Sequence, residues 1–99
     1  MEKDYILKYR DIIVPIVIKH APTVRIILYG SRARLDAREG SDVDIALDAG
    51  KKIDKLIMNK IIDNLEESRL PICFDIVDFA SVSQDMQKEI MKDGIIWKE

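Results

Sequence analysis

Cysteine and histidine are almost missing from this chain: Cys73 and His20 are its single representatives of each in 99 residues. One cysteine closes no internal disulfide, so no disulfide framework supports the fold and a reducing, cytoplasmic setting is the default expectation. The same scarcity argues against a Cys/His zinc site and a Cys–His nucleophile pair. Basic excess is lacking too. Sixteen Lys and Arg against eighteen Asp and Glu give a formal charge of −2, unlike the charge balance of a general nucleic-acid binder, so no direct nucleic-acid binding is expected. Long hydrophobic runs are absent: the apolar stretch from Ile12 to Ile18 falls far short of the ~20 residues of a membrane helix. It follows Glu2, Asp4 and Asp11 rather than a basic stretch, and no small-residue cleavage site comes after it. A soluble, unprocessed protein with no membrane contact is therefore expected. There is no internal repeat and no low-complexity segment.

What remains is globular in composition. Hydrophobic residues make up 47% of the chain and charged residues 34%, outside the low-hydropathy, high-charge regime of disorder. The length suits one domain spanning residues 1–99, with room for a modest core and none for a separate substrate domain. If the chain carries out chemistry, a large acceptor is expected to bring its own binding surface.

Hydrophobic spacing divides the chain into elements. Ile6, Tyr9, Ile13, Ile16 and His20 recur at three- and four-residue steps, predicting a helix over 4–20 that Pro15 should kink or split and Ala21-Pro22 should end. Residues 24–29 read as a buried strand that stops at Gly30, followed by a loop-like stretch with room for a helical turn after Gly30-Ser31. Residues 42–48 alternate, with Asp42, Asp44, Ala46 and Asp48 on one face and Val43, Ile45 and Leu47 on the other. Ile53, Leu56, Ile57, Ile61 and Leu65 mark a second helix over 52–68, broken by Leu70-Pro71. Residues 72–79 form a third strand with Asp75 in its middle. A third helix runs from Ser81 to Lys92, with Ser81 and Gln84 at capping-box spacing and Gly94 at its end. Ile95-Ile96-Trp97 fits a short strand or a docking tail. The order α-β-β-α-β-α points to an α+β domain bordering on α/β, a small mixed sheet flanked by helices.

Three features carry chemistry. Asp42 and Asp44 share a strand face about 6.8 Å apart along the chain; like charges so placed repel, and a divalent cation removes the conflict. Oxygen-only donors favour Mg²⁺ or Mn²⁺ over zinc. Asp75 would add a third carboxylate if its strand lies beside the Asp42–Asp44 strand, and three carboxylates can hold two ions for in-line phosphoryl or nucleotidyl transfer. Gly30-Ser31 at a strand end lets backbone approach a phosphate, with the Ser31 hydroxyl as donor and Arg32 and Arg34 as counter-charges. Taken singly these signals are weak. Most Asp-x-Asp pairs are solvated, and Ala46 and the strand alternation exclude a calcium loop here. Asp75 alone could be an edge-strand charge. Asp48 and Asp78 read as solvated strand ends, His20 as a helix C-terminal cation, Cys73 as a small packing residue, and Arg38 and Glu39 as a solvated loop.

Together the signals are specific. Gly30-Ser31, ten residues, then Asp42-x-Asp44 resembles the defining motif of the DNA polymerase β-like nucleotidyltransferase superfamily. The wider stretch Leu28-Tyr29-Gly30-Ser31-Arg32-Ala33-Arg34, with Ser41-Asp42-Val43-Asp44-Ile45-Ala46 after it, is similar to the minimal nucleotidyltransferase (MNT) family, and the likeness continues through 71–79 and the tail. The resemblance implies the nucleotidyltransferase fold, with Asp42, Asp44 and Asp75 as catalytic and metal-binding carboxylates. It implies that Gly30 and Ser31 grip a nucleotide triphosphate, with Arg32 in the same motif. It also implies Mg²⁺, two ions per site, and ATP as substrate. Members resemble antitoxins paired with a HEPN-domain toxin, often a ribonuclease, so the implied reaction is transfer of AMP from ATP to a tyrosine hydroxyl of that partner. A homo- or hetero-oligomer fits this pattern. Tyr29 stands where Phe is usual, and Leu35 where Gly commonly follows Arg34. Two other readings are a non-catalytic antitoxin that neutralises by docking, and nucleotidyl transfer to a small molecule.

Overall fold

In the computed structural model, which describes residues 2–30, 33 and 42–99 with side chains from Lys8 onward, four strands form one mixed sheet. The order along the chain is α1 (Glu2–His20), β1 (Arg25–Tyr29), β2 (Val43–Asp48), α2 (Lys55–Glu67), β3 (Phe74–Asp78), a 3₁₀ turn (Phe79–Ser81), α3 (Gln84–Asp93) and β4 (Ile95–Lys98). The sheet order is β3-β2-β1-β4. β1 pairs antiparallel with β2 and β4, and β2 pairs parallel with β3. The parallel pair needs a crossover, which α2 supplies. The mixed sheet flanked by helices is as expected, and the tail is a strand.

The two sheet faces pack differently. Ile26, Leu28, Val43, Ile45 and Leu47 point to one face, where they meet Tyr9, Ile13 and Val17 of α1 and Ile61 and Leu65 of α2. Each fully buried aliphatic side chain in this layer contributes roughly 1.5–3 kcal/mol. The other face is covered over a shorter span: Ile90 of α3 packs on Ile27, Tyr29 and Ala46. Ala46 therefore lies in the core although its strand neighbours on that face are acidic, and its small side chain fits beneath the helix.

Several sequence expectations change. α1 is not split at Pro15. Pro15 lies on the exposed side, where water can meet the Asp11 carbonyl that the ring leaves without its helical donor. The α1 stripe runs through Val17 as well as Tyr9 and Ile13, while the Ile6 side chain lies outside the described residues. α2 starts later than expected, at Lys55, because the Asp54 carboxylate caps it by accepting from Leu56 N–H at 2.8 Å. Ile53 is buried ahead of the helix, and Leu56, expected in the core stripe, is 70% exposed. α3 starts at Gln84 because Ser83, not Ser81, is its cap: Ser83 Oγ accepts from Met86 N–H at 3.1 Å. Ser81 instead donates to Asp78 Oδ2 at 3.0 Å.

The aspartates at the strand ends are structural rather than merely solvated. Asp48 takes a 2.7 Å ion pair from Arg25 and accepts from Gly50 N–H at 2.9 Å, closing the turn after β2. Asp78 accepts from Ile53 N–H at 2.8 Å, Ala80 N–H at 3.2 Å and Ser81 Oγ at 3.0 Å, tying the α2 approach to the end of β3. His20 contacts Asn64 Oδ1 through Nε2 at 3.0 Å, joining α1 to α2. Gly94 ends α3 in extended backbone, and what demands glycine there is space: a Cβ would collide with the Ile90 carbonyl oxygen and stand 2.7 Å from Ile27 Cγ2. Among the described residues no helix is long and apolar enough to cross a membrane.

Replacing Asp78 by Ala removes three hydrogen bonds at once. We expect a loss of about 1–3 kcal/mol of stability, seen as a lower urea midpoint with unchanged slope. Leu56→Ser should stay within about 0.5 kcal/mol.

Candidate active site

Strand register assembles the site. The β1–β2 hairpin sets Tyr29 opposite Asp44, and the parallel ladder sets Asp44 beside Asp75. Tyr29, Asp44 and Asp75 thus form one row across three adjacent strands. The next row on the same face is Ile27, Ala46 and Val77, and it is this row that α3 covers. α3 therefore closes the lower part of the face and leaves the carboxylate row at its margin: Asp44 is half-buried and Asp75 exposed. The condition set by the sequence is met, since the Asp75 strand does lie beside the Asp44 strand, with the two carboxylates in register.

Gly30 follows Tyr29 at the end of β1 with φ +75°, where a side chain is strained. A Cβ at this position would also collide with Asp44 Oδ2 and stand 3.2 Å from Asp44 Cγ. Glycine is thus required both by conformation and by the close approach of the Asp44 carboxylate to the backbone.

The field of the row is visible at Tyr29. Burial, then the negative charges of Asp44 and Asp75, push its phenol up from 10.0 to about 12. Ionising it would place a third negative charge in the row.

Asp42 is exposed and stands just before β2, two residues from Asp44. Among the described residues no three His, Cys, Asp or Glu side chains are grouped to hold a metal ion; the strand register sets Asp44 beside Asp75, and Asp42 does not join them in a group of three. Ser31 and Arg32 lie outside the described residues, as do Arg34, Leu35 and the turn expected after Gly30. Cys73 is exposed, not packed, and its carbonyl accepts from Val43 N–H at 2.9 Å, extending the parallel ladder. Tyr29, marked in the sequence only as standing where Phe is usual, joins the row through the hairpin register. Its strand phase alone was uninformative, because only the hairpin register puts it opposite Asp44.

Because the Tyr29 pKa is raised in the folded chain, the stability tied to its neutral form is complete below pH 10 and is lost as pH rises toward about 12. Asp44→Asn should lower that pKa toward 10 without reaching it, since burial persists. Ultraviolet absorbance of the phenolate, assigned by its loss in Tyr29→Phe, checks this; a pKa unmoved by Asp44→Asn contradicts the coupling.

Comparison with known proteins bears on the family and the fold. The chain is 30% identical over 78 residues to the "Probable protein adenylyltransferase MntA" of Haemophilus influenzae, covering 79% of this chain and 68% of that protein. Its fold superposes on a chain of a toxin–antitoxin crystal structure with AMP-PNP at a TM-score of 0.75, with 24% identity, over 89% of this chain and 71% of that one. It also matches a chain of the tri-AMPylated Shewanella oneidensis HEPN toxin in complex with MNT antitoxin at a TM-score of 0.71, with 21% identity, over 98% of this chain and 71% of that one. The family described as "Polymerase beta, Nucleotidyltransferase" matches residues 12–99, and the chain belongs to this nucleotidyltransferase family.

Proposed function

We propose that this nucleotidyltransferase is a protein adenylyltransferase that moves AMP from ATP to a tyrosine hydroxyl of a HEPN-domain toxin and so acts as its antitoxin. The observation that carries the reading is the register of Asp44 with Asp75 on the open part of one sheet face, beside Gly30, whose backbone the Asp44 carboxylate approaches closely. The name of the Haemophilus relative and the AMPylated toxin of the Shewanella complex support the choice of AMP as the transferred group and a HEPN toxin as acceptor.

The donor set fits a divalent metal. Asp42, Asp44 and Asp75 offer oxygen ligands alone, the chemistry suited to Mg²⁺, and Asp44 and Asp75 already stand on adjacent strands. These three residues would hold the metal, two Mg²⁺ ions in the proposed state, and the bound metal would supply positive charge that stabilises the phosphoryl group being transferred. Gly30, Ser31 and Arg32 are assigned to the triphosphate: backbone approach at Gly30, a hydroxyl donor at Ser31 and a positive charge at Arg32. The acceptor hydroxyl oxygen attacks the α-phosphorus of ATP. A new oxygen–phosphorus bond forms, the bond to the β-phosphate oxygen breaks, and pyrophosphate leaves. Asp75, exposed at the outer end of the row, accepts the hydroxyl proton.

Incubating the chain and its toxin with Mg-ATP should add AMP-sized masses to the toxin, read by intact mass spectrometry. Asp42→Asn with Asp44→Asn should cut the rate by roughly 100-fold or more, the scale of losing a principal electrostatic stabiliser, and should abolish neutralisation of the toxin in cells. Neutralisation that survives the double change, with no AMP added by the unaltered chain, would establish docking without catalysis.

A further inference from the structure

A second surface lies at the other end of the sheet. Asp44 and Ala49 are five residues apart on and just beyond β2, about 17 Å of strand. Beside Ala49 opens a groove of about 730 Å³ between the α1–β1 connection, the β2–α2 connection and the first turn of α2. Its lining is mostly apolar, with Ala21, Pro22, Val24, Ile53 and Ile57 among its residues. Val24 and Ile53 are buried, so the floor is continuous with the core. The wall is fixed: His20 is held by Asn64 across the helix pair, and Gly50 N–H donates to Asp48 in the turn that carries the next two residues.

The rim is cationic. Lys51, Lys52 and Lys55 line the groove and are exposed. Among the described residues the ion pairs are Arg10–Asp11 and Arg25–Asp48, and neither uses these lysines. Asp54 is the acidic lining residue, and its carboxylate is engaged by Leu56 N–H at the head of α2. Among the described lining residues three lysines thus stand against one carboxylate, a net positive rim over an apolar floor in a chain whose formal charge is −2.

We propose that this groove is a docking site for a short acidic peptide segment with one apolar anchor side chain, contributed by a partner protein. The anchor fills the floor against Ile53 and Ile57, and flanking carboxylates meet Lys51, Lys52 and Lys55. Charge complementarity sets the sign of the partner, and the apolar floor sets its class. A nucleic-acid strand would call for stacking aromatics, and no Phe, Tyr or Trp is among the described residues that line the groove. The site is separate from the carboxylate row and does not depend on adenylyl transfer.

The test uses the full chain, labelled with nitrogen-15, and a blocked synthetic peptide of glutamates around a single central phenylalanine. Amide shifts should move at Val24, Ile53, Lys55 and Ile57 and stay fixed at Asp44 and Asp75. Lys51→Gln, Lys52→Gln and Lys55→Gln together should weaken the fitted Kd about tenfold, the sum expected of three exposed ion pairs. The same spectra show that the variant is folded. Replacing the peptide's phenylalanine by alanine should weaken binding further, and added salt should do so in the unaltered chain only. Shifts gathered elsewhere, no saturable shift, or a Kd indifferent to the three lysines overturns the proposal. So does a single-stranded oligouridine that occupies the groove as tightly as the peptide.

Discussion

The parallel pairing of β2 with β3 is the constraint on which the rest depends. It sets Asp44 beside Asp75, two like charges on neighbouring strands. Such a pair does not stabilise the fold by itself; like charges directly across a ladder are unfavourable. The pairing is imposed by the opposite face, where Val43, Ile45 and Leu47 of β2 are buried against α1 and α2 and Phe74 and Ile76 of β3 pack on the same cluster. A one-residue slip of β3 against β2 would turn Phe74 and Ile76 to the other face. The hydrophobic layer thus fixes a register that the acidic side would not choose.

The two faces also divide the work. α1 and α2 cover one face broadly, while α3 covers a shorter span of the other, over Ile27, Ala46 and the Tyr29 ring. Alanine at 46 lets the helix sit close, and the helix stops short of the carboxylate row. Gly94 lets α3 lie against Ile27, and Gly30 lets the end of β1 lie against the Asp44 carboxylate. Tyr29 shares both environments, with its ring in the α3 cluster and its phenol in the field of the two aspartates.

Much of this was legible in the residues. Alternation over 42–48 assigned Asp42 and Asp44 to one face, and the spacing from Gly30-Ser31 to Asp42-x-Asp44 pointed to the family. The place of Asp75 could be stated only conditionally, because strand pairing is a long-range property that periodicity does not encode. Leu56 and Ser81 misled for local reasons. Helical spacing extends equally well through a residue that faces solvent, and capping-box spacing fits Ser81 although Ser83 makes the cap. Asp48 and Asp78 looked solvated because their partners, Arg25 and the Ile53 amide, are more than twenty residues away in the chain. Ser31 and Arg32 rest on the motif, being outside the described residues.

The central claim is that Asp44 and Asp75 act as one metal-holding unit created by strand register. Mn²⁺ titration of the chain with a non-hydrolysable ATP analogue, followed by the loss of free-ion paramagnetic resonance signal, tests it most directly. The account predicts that Asp44→Asn and Asp75→Asn each weaken Mn²⁺ binding by about tenfold or more, and that the double change costs clearly less than the product of the two. Undiminished Mn²⁺ binding in Asp75→Asn, or fully independent effects of the two changes, would contradict it.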